Sequence, residues 1–210
     1  MGRGKFGKYI YEKNRVEAFS DGVFAIIITL LVLDIKVPDF EKNQKMGDAI
    51  SLLWEQRSEI FSWALSFLMV GVGWMQHHNI IHMAKRMDLG MIWINLFTLM
   101  GFCLVPFTMK MMAVYPLDPA VITLFGMDLA LTTLTMCWMF RYIWKYELKS
   151  TYDYKVTGRH VTFTFIAAPV LYTVASLSAW LSPYLSYSIF ILLPVCFIFP
   201  LDKEVTSDNQ

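Results

Sequence analysis

Residues 15–38 read RVEAFSDGVFAIIITLLVLDIKVP, and this stretch decides the class of fold. Its apolar core, residues 23–33, is only 11 residues long. A helix that crosses a membrane needs about 20 mostly apolar residues, so a spanning helix must also take Phe19, Ser20 and Asp21 into or near the membrane. Ionisable side chains at that depth are costly and usually face protein or water. The stretch therefore predicts a membrane helix that also makes polar contacts.

Long apolar blocks continue through the rest of the 210-residue chain, which is 56% hydrophobic and 17% charged. Six blocks are long enough for spanning helices, numbered helix 1 to helix 6, and they cover about residues 15–35, 60–83, 89–112, 117–143, 161–181 and 183–200. We therefore predict an all-α integral membrane protein with a single six-helix transmembrane domain over residues 1–210. The net charge of +1 predicts no basic surface for nucleic acid.

The distribution of Lys and Arg predicts the orientation of the chain. If both termini are in the cytosol, 13 of the 18 Lys and Arg residues lie in cytosolic segments and 5 lie in outer segments. Such an excess is typical of the cytosolic side of a membrane protein. We expect a multi-pass protein of the cell membrane with both termini cytoplasmic.

Helix 1 has one stripe of side chains that differs from the rest of its surface. At about 100° per residue, the stripe holds Arg15, Phe19, Gly22, Ile26, Thr29, Leu30 and Leu33. Ser20 and Asp21 lie away from this stripe. One face is thus suited to line an axis and the other to bond with neighbouring helices. From periodicity alone, ordinary helix packing is the simpler explanation of the apolar stripe.

Polar residues of three helices are expected at one depth near the inner leaflet. Helix 1 starts in the cytosol, helix 2 returns to it, and helix 3 leaves it, which brings polar groups of all three to similar depths. The expected network consists of Arg15, Phe19, Ser20, Asp21, His77 and Asn95. Such a network either holds helices in register or takes part in gating, and the residues alone leave both open.

The RxxxFSD signature of residues 15–21 and the continuation TLLVLDIKVP at residues 29–38 resemble the prokaryotic relatives of the endosomal and lysosomal potassium channel called transmembrane protein 175. Trp74 and the run of residues 77–79 add to the resemblance. The resemblance implies a potassium-permeable channel with passive flux through the bilayer. A single six-helix repeat, as here, resembles the prokaryotic form, a homotetramer in which helix 1 of each subunit lines the central pore.

The resemblance also implies which residues form the pore. In that family an Ile five places after the motif Asp narrows the pore, and a Thr and a Leu further along add layers. Carried over, these residues are Ile26, Thr29 and Leu33, with Leu30 on the same stripe. A potassium ion is expected at Thr29, although back-bonding to the helix carbonyls is the other role open to its hydroxyl. No cofactor is expected beyond the permeant potassium ion.

Two other classes of protein compete with the channel. A membrane metalloenzyme would explain His77, His78 and His82, but the chain has only four His and no HExxH sequence, so we predict that it is not an enzyme. An ion- or proton-coupled secondary transporter would explain Asp128 in the middle of helix 4 as a relay. Otherwise Asp128 has a satisfied polar contact with Thr132 or a neighbouring helix. A purely structural membrane scaffold also stays open.

Overall fold

The structure is a computed structural model that describes residues 10–33, 35, 50–51, 54–84, 87–145 and 157–198, without the side chains of residues 10, 157–166 and 195–198. The described residues form six α-helices: α1 (Lys13–Leu33), α2 (Arg57–Met83), α3 (Leu89–Val114), α4 (Pro119–Ile143), α5 (Thr157–Ser178) and α6 (Pro183–Ile198). A two-residue strand β1 (Ile10–Tyr11) pairs antiparallel with β2 (Met87–Asp88). Apart from this short pair, the described part of the chain is helical or irregular.

Each of the six predicted helices corresponds to one helix of the structure, and the predicted and observed ends differ by at most four residues. By length and composition, α1 to α4 are able to cross a membrane. The described apolar parts of α5 and α6 are shorter, Ala167–Ser178 and Pro183–Pro194. Four candidate spans are therefore found among the described residues, and six crossings remain a prediction. The short β pair was not predicted.

Two aspartates start the central helices α3 and α4. Asp88 accepts a hydrogen bond from the backbone N–H of Met91 at 2.9 Å, and Asp118 accepts one from Ala120 at 2.8 Å. Such N-caps satisfy backbone donors that have no partner within the helix. Asp88 also accepts a bond from the Tyr142 hydroxyl at 2.7 Å. The start of α3 is therefore tied to the end of α4.

The core lies where α4 packs between α3 and α5, while α1 packs chiefly against α2 and α3. Small residues allow the central helices to approach closely. A Cβ added to Gly126 would overlap Ser176 of α5, and a Cβ added to Gly101 would overlap Thr132. In a membrane the hydrophobic effect does little to hold helices together, because lipid is as apolar as the helices. Close van der Waals packing through small residues contributes instead.

Helix α1 is buried on one side only. Its buried side chains are Ser20, Phe24, Ile27 and Leu31, which recur every three or four residues and so share one face. The opposite face carries exposed apolar side chains, with Ile26 60% exposed and Leu33 75% exposed. The described residues therefore cover one face of α1 and leave the other face exposed.

Candidate functional site

Asn95 of α3 is the centre of a buried polar cluster with Ser20 of α1 and His77 of α2. The Asn95 side-chain amide donates to Ser20 Oγ at 3.0 Å, and its carbonyl oxygen lies 2.7 Å from His77 Nε2. Ser20 in turn donates to the Val16 carbonyl at 2.9 Å. Because the Asn95 carbonyl can only accept, His77 Nε2 carries the proton in this arrangement. Each group has a partner, and three helices are joined at one point.

An aromatic layer covers the polar cluster. The ring of Phe24 lies 5.2 Å from the His77 ring and 4.8 Å from the Phe102 ring, measured between centroids. Phe24 follows Ser20 by four residues, so both occupy the buried face of α1. The sequence thus puts the polar side chain and its apolar cover one helical turn apart.

Asp21 has a separate partner that the sequence did not indicate. The indole N–H of Trp74 donates to Asp21 Oδ1 at 2.8 Å. Trp74 lies three residues before His77, and therefore about one turn away on α2. An indole N–H near a membrane helix needs an acceptor, which is the signal that would have found this pair. Asp21 thus bonds to α2 through Trp74, whereas Ser20 bonds to α3 through Asn95.

Two predicted members of the network stay outside it in a single chain. Phe19 is 55% exposed, and Arg15 is exposed with no side-chain hydrogen bond or ion pair to any described residue. Nearby, Lys13 lies 3.6 Å from Glu17 and donates to the His82 carbonyl at 2.8 Å. The structure therefore brings Ser20, His77 and Asn95 together, leaves Asp21 with Trp74, and keeps Arg15 and Phe19 on the uncovered face.

The predicted stripe of α1 lies on the face that the described residues leave exposed. Ile26, Leu30 and Leu33 are exposed, whereas the next residue along, Ile27, is only 3% exposed. An added Cβ at Gly22 would meet no atom within 4 Å. Thr29 is exposed too, and its hydroxyl is 3.0 Å from the Ala25 carbonyl and 2.9 Å from that of Ile26.

The features that favoured other classes of protein have local explanations. Asp128 is buried and accepts a hydrogen bond from the Thr108 hydroxyl of α3 at 3.2 Å. Its partner is thus a neighbouring helix and not Thr132. His78 and His82 lie on an exposed face, with ring centroids 6.2 Å apart. Within the described ranges, no group of three or more His, Cys, Asp or Glu side chains is placed to hold a metal ion.

Several membrane-length apolar helices joined by buried polar contacts define a multi-pass α-helical membrane protein. The model of the family "Endosomal/lysosomal potassium channel TMEM175" matches residues 15–106, from α1 into α3. Together with a relative that aligns over most of its length, this match shows that the chain belongs to the TMEM175 family. It is therefore a member of an ion-channel family and not of a family of enzymes.

Two relatives and one solved structure are similar to this chain. A potassium channel of Chamaesiphon minutus is 34% identical over 197 residues, which cover 89% of this chain and 93% of the relative. A potassium channel of Streptomyces collinus is 41% identical over 104 residues, or 50% of this chain and 49% of the relative. The crystal structure of a lysosomal potassium-selective channel TMEM175 homologue from Chamaesiphon minutus matches with a TM-score of 0.73 and 30% identity, and covers 89% of this chain and 96% of that one.

Proposed function

We propose that this chain is a potassium-permeable channel of a prokaryotic cell membrane, with passive flux along a pore lined by α1. The observation that carries the proposal is the uncovered apolar stripe of α1, with Ile26 60% exposed beside a buried Ile27. The two relatives described above are named potassium channels, which supports potassium as the permeant ion. Both termini are proposed to lie in the cytosol, in line with the Lys and Arg distribution.

Ion flux into liposomes is the direct test of this function. Purified protein in liposomes with a potassium gradient and no other gradient is expected to pass potassium down that gradient. A coupled transporter would instead need a second ion gradient and would saturate at low substrate. The satisfied contact of Asp128 with Thr108 does not favour that alternative.

A homotetramer supplies the pore walls that one chain lacks. A single α1 cannot enclose an axis, whereas four copies in closed cyclic symmetry would place four identical stripes around one. The polar cluster of Ser20, His77 and Asn95 supports this geometry, because it fixes the rotation of α1 about its own axis and so fixes which face is uncovered.

The oligomeric state is the prediction that checks this assembly. Native mass spectrometry of the detergent-purified protein is expected to give a mass four times that of the 24.4 kDa chain. Light scattering in a second detergent provides the control for detergent-induced association. The mass of a single chain in both detergents, from protein that conducts potassium in liposomes, would contradict the assembly.

A ring of four Ile26 side chains would form the narrowest part of such a pore. The chain has no TVGYG sequence, the usual source of the backbone carbonyls that replace an ion's hydration shell. A ring of branched apolar side chains instead controls passage by dewetting and by stripping the hydration shell. The constriction is therefore proposed to be side-chain based and non-canonical for a potassium channel.

Thr29 is proposed to meet the ion just beyond this constriction. Its hydroxyl proton is directed to the carbonyls of Ala25 and Ile26, which are 3.0 and 2.9 Å away. A hydroxyl oxygen keeps its acceptor lone pairs when it donates its proton. Back-bonding and cation contact are thus compatible, since the back-bond uses the proton and leaves the oxygen available to the ion.

Thr29→Val is expected to lower the preference for potassium over sodium, because Val keeps the shape and removes the oxygen. Thr29→Ser keeps the oxygen and is expected to retain most of the preference. The measurement is the reversal potential of reconstituted protein under bi-ionic potassium and sodium conditions. Equal reversal potentials for the Val and Ser variants would show that the hydroxyl has no part in selectivity.

A further inference from the structure

The turn between α5 and α6, residues 179–182, contains no charged residue, whereas each of the other connections between successive helices contains at least one. The uncharged sequence extends over residues 161–201, which hold no Asp, Glu, Lys or Arg. Turns that enter water are normally polar. The composition of this turn is instead that of the apolar helices on either side of it.

The large side chains of this turn lie on the surface of the chain. Leu181 is 85% exposed, the largest exposed fraction of any large apolar side chain among the described residues. Trp180 and Tyr184, on either side of it, are also mostly exposed. A single exposed leucine is common, but three neighbouring large side chains at one turn form a patch that favours an apolar surrounding.

The backbone N–H groups of the turn are bonded within the hairpin of α5 and α6. Those of residues 179–182 donate to the carbonyls of Ser176, Leu177 and Ser178 at 3.0–3.2 Å. Pro183, the next residue, has no N–H. An unpaired backbone group is costly in lipid, because no water is there to bond with it. The N–H groups of this turn therefore need no water.

Two buried serines join the two helices just behind the turn. Ser186 Oγ donates to the Ala175 carbonyl at 2.7 Å and lies 2.9 Å from Ser178 Oγ. A hydroxyl without a partner is costly in apolar surroundings. These two hydroxyls find their partners within the hairpin, so they too are satisfied without water.

Contacts with other helices place the turn at one end of the bundle. Tyr187 of α6 donates to the carbonyl of Pro116, between α3 and α4, at 2.8 Å. Thr123, in the second turn of α4, donates to the Ser176 carbonyl at 3.1 Å. The turn thus lies at the same end as the connection between α3 and α4, which is where a membrane-spanning bundle meets the lipid headgroups.

We infer that the turn between α5 and α6 docks into the interfacial layer of a phospholipid bilayer, with Leu181 among the acyl chains just beneath the headgroups. Trp180 and Tyr184 then lie at headgroup level, the depth at which Trp and Tyr are enriched in membrane proteins. The length of α6 supports this position: its 16 residues extend about 24 Å, less than the hydrocarbon core of about 30 Å. The lipid contact does not depend on the proposed channel function.

A photoreactive lipid tests this contact in the wild-type protein. The protein is placed in phosphatidylcholine nanodiscs with a small fraction of phosphatidylcholine that carries a diazirine near the carbonyl end of an acyl chain. After irradiation, mass spectrometry is expected to find label on Trp180, Leu181 or Tyr184. Asn14, exposed in the charged start of α1, should stay unlabelled. An unlabelled turn would overturn the proposal, whether water or protein covers it.

A thiol-accessibility measurement shows whether water reaches the turn. Leu181→Cys in nanodiscs is treated with a sulfonated maleimide, which is charged and stays out of lipid, and the mass of the intact protein counts the labels. No label beyond that of the wild type is expected until the protein is unfolded in SDS. Asn14→Cys is the control and should gain its label in the folded protein, because Asn14 is exposed between Lys13 and Arg15. Equal labelling of the two folded variants would place the turn in water and overturn the proposal. If Leu181→Cys does not fold, the photolabelling of the wild type decides.

Discussion

Ile26→Asn is expected to raise potassium flux about tenfold or more and to erode the preference for potassium over sodium. At the proposed constriction, four asparagines would hold water that four isoleucines would exclude. A barrier that is lower by 1.4 kcal/mol corresponds to a rate about ten times higher, and a change of side chain in all four subunits of the proposed tetramer is expected to exceed that. The measurement is potassium and sodium flux into liposomes at equal protein density.

Ile27→Asn is the matched control for this prediction. Ile27 is the adjacent residue with the same side chain, but it is 3% exposed and packs into the core. Asparagine there is expected to lower stability and yield, while the protein that folds conducts like the wild type. Altered permeation in Ile27→Asn with unaltered permeation in Ile26→Asn would place the pore on the other face of α1.

Asn95→Leu is expected to give the largest loss of stability among single changes in the polar cluster. Leucine removes the bonds to Ser20 and His77 at once and leaves a His77 N–H buried without an acceptor. An unpaired buried donor and one further lost bond together cost about 2–4 kcal/mol. Thermal unfolding in detergent, followed by tryptophan fluorescence, is expected to show a clearly lowered midpoint.

Ser20→Ala is the comparison that shows whether the stability loss of Asn95→Leu depends on the number of hydrogen bonds removed from the cluster. Ser20→Ala removes the bond from Asn95 and the bond to the Val16 carbonyl, but it leaves the pair of His77 and Asn95 in place, so its cost is expected to be about 1–2 kcal/mol. The midpoint should therefore fall in the order wild type, Ser20→Ala, Asn95→Leu. An Asn95→Leu protein as stable as the wild type would mean that the cluster does not hold α1.

The sequence was sufficient for features that depend on periodicity along one helix. The positions of the helices followed from apolar length, and the helical wheel separated Ile26 from Ile27, which the structure exposes and buries respectively. The common depth of Ser20, His77 and Asn95 followed from the direction of three successive helices. The pore role of the stripe stays a prediction, because it depends on other copies of the chain.

Features that depend on contact between distant elements were not predictable in the same way. The bond from Trp74 to Asp21 depends on the rotation of α2 relative to α1, and apolar blocks leave that rotation undefined. The pairing of Asp128 with Thr108, in place of Thr132, depends on which face of α4 meets α3. A cavity lined by residues of α2, α3, α4 and α5, among them Tyr172, arises from the packing of four helices, so no single segment carries a signal for it.

The short strand pair has a mechanical consequence for α1. Ile10 and Tyr11 are paired with the segment just before α3, and Lys13 is bonded to the last turn of α2, so the N-terminal end of α1 is anchored at two points. A helix that is anchored at one end tilts about that end more readily than it moves along its own axis. A movement of α1 along its axis by one helical turn, about 5.4 Å, would break both anchors, whereas a tilt of α1 keeps them. Widening of the proposed pore at Leu33 would therefore require the smallest rearrangement, because motion about a pivot at the N-terminal end of α1 is largest at its C-terminal end.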